Sequence, residues 1–134
     1  MPRILVIDDQ KDVRAMIAIV LRVKQFEVIE AESAAAGLKI FQESPADLAI
    51  VDIFLQDACG FDVISKMRDL VPSLPVVAIS GMTALDGASQ SAELSNVVCL
   101  QKPFRPNDLI SAIEAASRRV QDSAGERKGV ARVV

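Results

Sequence analysis

Four short apolar runs in the sequence end on polar side chains that could bind a metal ion and a phosphoryl group. The runs RILVIDD, DLAIVD, PVVAIS and VVCLQKP end at Asp8 and Asp9, at Asp52, at Ser80 and at Lys102. Three carboxylates suit a hard divalent cation such as Mg²⁺ or Mn²⁺. A lysine ammonium group and a serine hydroxyl group can both donate to phosphoryl oxygens. We therefore expect a phosphoryl-transfer site that uses a divalent cation.

The roles of the carboxylates follow from their ordinary chemistry. We expect Asp9 and Asp52 to be direct metal ligands, and Asp8 to bind through water or to hydrogen-bond a ligand. A carboxylate can also act as a nucleophile and form an aspartyl phosphate. Phosphoryl transfer needs charge neutralisation at the oxygens, which the cation, Lys102 and Ser80 can supply without a general base.

Strands and helices alternate along the chain, and this arrangement would bring these residues together. Short β-branched runs predict buried parallel strands. Five βα units with right-handed crossovers predict an α/β fold, a doubly wound, flavodoxin-like (βα)5 domain with strand order 2-1-3-4-5. Ligands bind such sheets outside the carboxyl ends of the strands. The order 2-1-3-4-5 places the first and third strands side by side, so Asp8, Asp9 and Asp52 would share one crevice. The predicted strands cover about residues 3–8, 26–30, 47–52, 76–80 and 97–100.

The helices between these strands are predicted from apolar spacing and from capping residues. Ser33 can cap the second helix, and Pro106 or Asn107 starts the last one. The stretch from Ala84 to Leu94 predicts a short, weak fourth helix because it contains Gly87 and several serines. We expect one domain over residues 1–120 and a polar tail over residues 121–134, which leaves no room for an output domain.

Composition narrows the possible functions. The 134 residues are 51% hydrophobic and carry a net charge of −3, which argues against binding of nucleic acid by this domain. Neither a secretory signal nor a membrane span is predicted, so we expect a cytoplasmic protein. The absence of histidine excludes a Ser-His-Asp triad and a histidine-ligated zinc site. A phosphohistidine donor would therefore belong to another protein.

The motifs LVIDD, LAIVDIFLQDACGFDVI, VVAISG and LQKPF, taken in order, resemble the receiver domain of two-component response regulators. The resemblance spans about residues 3–120. It implies a signalling switch, not a classical enzyme, that is phosphorylated by a sensor histidine kinase or a histidine phosphotransfer protein. It also implies an unidentified output partner that docks on the fourth helix, fifth strand and fifth helix.

The same resemblance implies a role for each matching residue. Asp52 would be the phosphoacceptor, and Asp8 and Asp9 would hold the magnesium ion together with Asp52 and the main-chain carbonyl of Phe54. Ser80 and Lys102 would bind the phosphoryl group and relay its presence, and the Lys102–Pro103 peptide bond would be cis.

Three positions depart from the family pattern. Gln56 stands where the family commonly has proline, so we expect a looser loop after Asp52. Ser80 replaces the more frequent threonine and keeps the hydroxyl donor. Cys99 stands where many members carry an aromatic switch residue, which puts the usual relay from Ser80 in question. We expect Cys99 to be a small buried residue rather than a redox sensor.

Two alternatives remain open from the residues. An aspartyl-phosphate-forming phosphohydrolase would share the nucleophile and the metal, but such enzymes usually carry a second aspartate where this chain has Phe54. A flavodoxin-like redox or nucleotide-binding module ranks last, because no glycine-rich phosphate loop follows the first strand.

Overall fold

The computed structural model describes residues 2–81 and 97–118. Five parallel strands form one sheet: β1 (Arg3–Ile7), β2 (Glu27–Ala31), β3 (Leu48–Asp52), β4 (Val76–Ser80) and β5 (Val97–Gln101). The strand order is β2-β1-β3-β4-β5, which confirms the predicted topology. The predicted weak helix between Ala84 and Leu94 and the predicted tail at residues 121–134 lie outside the described residues.

Helices cover both faces of the sheet. They are α1 (Lys11–Val23), α2 (Ala34–Glu43) and α3 (Gly60–Leu70), followed by a helix over residues 106–118, here termed the last described helix. Ser33 caps α2 as predicted, since its hydroxyl accepts a hydrogen bond of 3.1 Å from the Ala36 amide.

The apolar core lies in two layers because successive side chains of each strand point to opposite faces. On β1, Leu5 and Ile7 pack with α2 and α3, whereas Ile4 and Val6 pack with α1 and the last described helix. The central strands β3 and β4 are buried along their whole length, which is why their sequences read as continuous apolar runs. Burial on both faces fixes the strand register and therefore the positions of the residues at the strand ends.

None of the helices within the described residues is long and apolar enough to cross a lipid bilayer.

Candidate metal and phosphoryl site

Three carboxylates meet at the carboxyl edge of the sheet. Asp8 follows β1, Asp52 ends the neighbouring β3, and Asp9 precedes α1. One oxygen from each of these side chains lies within 4.8 Å of the others. Asp8 and Asp52 are buried, whereas Asp9 is partly exposed. The adjacency of β1 and β3 therefore creates the acidic cluster that the sequence predicts.

Lys102 reaches this cluster from the end of β5. Its Nζ atom lies 3.1 Å from Asp52 Oδ2 and 3.3 Å from Asp8 Oδ2. The same ammonium group donates a 2.7 Å hydrogen bond to Gln10 Oε1. The Lys102–Pro103 peptide bond is cis. The Lys102 ammonium group thus bridges two buried carboxylates, and the Gln10 side-chain carbonyl oxygen is its third partner.

Backbone amides hold the other oxygen of each buried carboxylate. Asp8 Oδ1 accepts a 2.8 Å hydrogen bond from the Gln10 amide, and Asp52 Oδ1 accepts one of 2.9 Å from the Phe54 amide. Arg14 Nη1 donates 2.6 Å to the Asp8 carbonyl and ties α1 to the end of β1. The carboxylates are therefore fixed in orientation, with their second oxygens directed towards Lys102.

The electrostatics of Asp8 favour a bound cation. The pKa of Asp8 is raised, chiefly because the carboxyl group is buried. The neighbouring Asp52 charge also raises it, whereas the Gln10 backbone hydrogen bond and Lys102 lower it. Within the part of the chain that the structure describes, one buried side-chain polar atom, Asp8 Oδ2, has no hydrogen bond of acceptable geometry. Lys102 Nζ lies 3.3 Å from it. Buried polar atoms are normally satisfied. A hard cation with oxygen ligands would satisfy this atom and balance three carboxylates against one ammonium group.

A cavity of about 350 Å³ opens in front of the acidic cluster. Lys102 and Asp52 form its charged wall, and Phe54, which is 56% exposed, stands at its rim. The remaining lining residues are Asp9, Gln10, Gln56 and Gly81. This position allows a phosphoryl group to reach Asp52 and Lys102 together.

Ser80 lies at the same edge of the sheet, as its position in the sequence predicts. It is the last residue of β4 and is fully buried, and its carbonyl accepts a 2.6 Å hydrogen bond from the Lys102 amide. The ends of β4 and β5 are therefore linked directly at the site.

The expectation that Cys99 is buried is wrong. Cys99 is exposed because β5 is the edge strand and its residues alternate between more and less buried positions, unlike those of β4. The expectation rested on the usual burial of free cysteine, although the predicted strand order already places this strand at the edge. Cys99 pairs with Ala78 of β4 in the sheet register, two residues before Ser80.

Gln10 and Asp57 also belong to the site region, although the sequence did not identify them. The Gln10 side chain accepts a hydrogen bond from Lys102, and its backbone amide donates one to Asp8. Its position directly after the Asp8–Asp9 pair was the available signal. Asp57, in the loop after Asp52, accepts hydrogen bonds from the amides of Ala34 and Ala35 at the start of α2.

Comparison with known proteins assigns this arrangement to a family. The sequence profile of the response regulator receiver domain matches residues 4–114. The chain therefore belongs to the receiver domain family of two-component response regulators, which are signalling proteins.

Individual relatives agree with this assignment. The transcriptional regulatory protein KdpE of Mycobacterium tuberculosis is 31% identical over 119 residues, which are 89% of this chain and 52% of that protein. The putative response regulator NtrX-like protein of Rickettsia bellii is 29% identical over 84% of this chain and 24% of its own length. The chain thus spans about half or less of these curated relatives.

A solved structure matches nearly end to end. The response regulator receiver domain protein from Clostridium thermocellum is 31% identical and superimposes with a TM-score of 0.80. That match covers 90% of this chain and 98% of the other.

Proposed function

We propose that this receiver domain is a phosphorylatable switch whose Asp52 accepts a phosphoryl group from a phosphohistidine of a partner protein, with Mg²⁺ (or Mn²⁺) as cofactor. The partner would be a sensor histidine kinase or a histidine phosphotransfer protein. The main support is the 3.1 Å contact between Lys102 Nζ and Asp52 Oδ2, beside Asp8 and in front of an open cavity.

The proposed transfer is a direct displacement. A carboxylate oxygen of Asp52 forms a bond to phosphorus while the phosphorus–nitrogen bond of the phosphohistidine breaks. The bonding electron pair leaves with the imidazole nitrogen of the partner. Because these 134 residues contain no histidine, the donor histidine would lie outside them.

Each residue of the site has a defined part in this proposal. Asp8, Asp9, Asp52 and the Phe54 carbonyl would hold the cation, which when bound neutralises charge on the phosphoryl oxygens. The Lys102 ammonium group binds one phosphoryl oxygen and exchanges its carboxylate contact for it. The Ser80 hydroxyl group, at the end of β4, binds another phosphoryl oxygen.

We further propose that phosphorylation changes the balance between two arrangements of the segment that follows Ser80. Ser80 would start the outward signal, and because Cys99 replaces the aromatic switch residue of many family members, its route would differ from the usual one. The output partner would dock on β5, the last described helix and the predicted fourth helix, which lies outside the described residues. The receiver unit would comprise residues 1–120.

The decisive experiment uses a small phosphodonor such as phosphoramidate. With Mg²⁺, we expect the protein to gain one acid-stable, base-labile phosphoryl group, and we expect no gain with EDTA or in the Asp52→Ala variant. Equal incorporation in Asp52→Ala, or none in the parent protein, would contradict the proposal. Continuous Asp52-dependent turnover of a phosphate monoester would instead support the phosphohydrolase alternative.

A further inference from the structure

The loop between β3 and α3 contains the one main-chain atom of the proposed cation site, the Phe54 carbonyl. Its two ends are tied together at the sheet. The Gly60 amide donates a 2.8 Å hydrogen bond to the Ile53 carbonyl, and Phe54 forms an antiparallel bridge with Cys59. Ile53 and Leu55 are buried, whereas Gln56 and Asp57 are exposed. The base of the loop is therefore anchored, and its tip projects from the sheet.

A side chain at the tip anchors the loop a second time, to a different element. Asp57 Oδ1 accepts a 3.0 Å hydrogen bond from the Ala34 amide, and Oδ2 accepts one of 3.1 Å from the Ala35 amide. These amides begin α2 and have no partner within the helix. A carboxylate at a helix N-terminus also interacts favourably with the helix dipole. These hydrogen bonds lower the pKa of Asp57, so the carboxylate is charged at neutral pH.

We infer that Asp57 is a positioning residue for the cation site, and that its bond to the start of α2 fixes the Phe54 carbonyl. This inference rests on the proposed function. Asp57 and Phe54 are three residues apart on one short loop that is held at its base by Gly60 and at its tip by α2. The Phe54 amide also holds Asp52 Oδ1, so a shift of the loop would displace two proposed ligands together.

The same contact offers a restraint in place of the proline that the family commonly has at Gln56. A proline there would stiffen the loop by fixing one backbone angle. In this chain the next residue, Asp57, restrains the loop by a side-chain bond to another element instead. The expected consequence of Gln56, a looser loop, therefore depends on whether Asp57 is intact.

The test is direct measurement of Mn²⁺ binding by electron paramagnetic resonance, on the full chain. Asp57→Ala removes both acceptor oxygens, and Asp57→Asn retains one. We expect Asp57→Ala to weaken Mn²⁺ binding by about tenfold, the lower end of the range for residues that orient metal ligands. Asp57→Asn should give an intermediate loss. Hydrogen exchange at the Phe54 amide should accelerate in the same order.

Two control variants separate positioning from other effects. Ser33→Ala removes the remaining side-chain cap of α2 but leaves the loop contact in place. Asp69→Asn removes one exposed negative charge near the end of α3. We expect both variants to bind Mn²⁺ as the parent protein does.

The outcomes distinguish the two proposals. Parental Mn²⁺ affinity in Asp57→Ala would overturn the positioning role alone, and so would an equal loss in Ser33→Ala, which would reduce Asp57 to a helix cap. If the parent protein neither bound Mn²⁺ nor accepted a phosphoryl group at Asp52, the proposed function would fail, and this inference with it.

Discussion

The Asp8 carboxylate shows how the site combines a folding cost with a binding function. It is fully buried and close to Asp52, and one of its oxygens lacks a hydrogen bond of acceptable geometry. Burial of a charge costs free energy unless the charge is well paired. Lys102 compensates only in part, because one ammonium group serves both Asp8 and Asp52. The metal-free protein should therefore be less stable than a form in which this charge is removed.

The Asp8→Asn variant tests this reasoning. We expect it to increase the free energy of unfolding of the metal-free protein, because a buried charge is removed while Lys102 keeps Asp52. We also expect it to lose most of the stabilisation by Mg²⁺, which in the parent is about 1.4 kcal/mol at ten times the dissociation constant. Urea unfolding with EDTA and with Mg²⁺ measures both quantities. Asp9→Asn is the control. Because Asp9 is partly exposed, this substitution should mainly reduce the stabilisation by Mg²⁺. A metal-free Asp8→Asn variant that is less stable than the metal-free parent would contradict the prediction.

Phe54 should control how long the phosphoryl group persists. Its side chain lines the cavity next to Asp52 and Lys102, where it can restrict the approach of water. We expect Phe54→Asn to lose its phosphoryl group several-fold faster, because a polar amide can orient attacking water, whereas Phe54→Leu should remain slow. Decay of the purified phosphorylated proteins in Mg²⁺ measures this. Faster decay in the parent than in Phe54→Asn would be incompatible with the proposed shielding.

At the scale of elements, the junction of β3 and α3 requires a glycine. A Cβ atom on Gly60 would overlap the Asp52 carbonyl oxygen and lie 2.7 Å from Ile53 Cα. Both are backbone atoms and cannot rotate away. Gly60 therefore permits α3 to begin directly against the strand that carries Asp52, and this brings the loop back over the site.

We accordingly expect Gly60→Ala to destabilise the protein by about 1–3 kcal/mol, the usual range for overpacking, and to weaken Mg²⁺ binding. Gly37→Ala is the matched control. There a Cβ atom would overlap the buried Ile7 side chain, lying 2.7 Å from its Cγ1 atom, so the core must repack away from the site, and a gain in helix propensity of about 1 kcal/mol offsets part of that cost. Chemical denaturation and calorimetric Mg²⁺ titration of both variants check the prediction, and an equal loss of Mg²⁺ affinity at the two glycines would argue against it.

The contact between Asp57 and α2 predicts a pH dependence. In the folded state the pKa of Asp57 lies below its ordinary value of 3.8. The contribution of Asp57 to stability is therefore present above pH 3.8 and is lost as the pH falls through the lower, folded-state pKa. The parent protein should therefore be more stable than Asp57→Asn at neutral pH, and the difference should shrink below pH 3.8. Urea unfolding of both proteins in EDTA across this range tests it. A difference that stays constant or grows on acidification would contradict it.

At the scale of the whole molecule, strand order accounts for what the sequence could predict. Asp8, Asp9, Asp52 and Lys102 end three separate apolar runs, and the order β2-β1-β3-β4-β5 brings these ends to one edge. Asp57 could not be recognised in this way, because its partners lie 22 and 23 residues earlier and depend on how a loop approaches a helix. The predicted strand order already places β5 at the edge of the sheet, but it does not show how much of Cys99 that edge leaves exposed.

Borohydride trapping shows whether Asp52 is the residue that carries the phosphoryl group. After incubation with phosphoramidate and Mg²⁺, reduction converts an aspartyl phosphate to homoserine, which peptide mass mapping can locate. We expect homoserine at position 52, and none after incubation with EDTA. Homoserine at Asp8 or Asp9 instead, or an unmodified Asp52 in protein that carries a phosphoryl group, would contradict it.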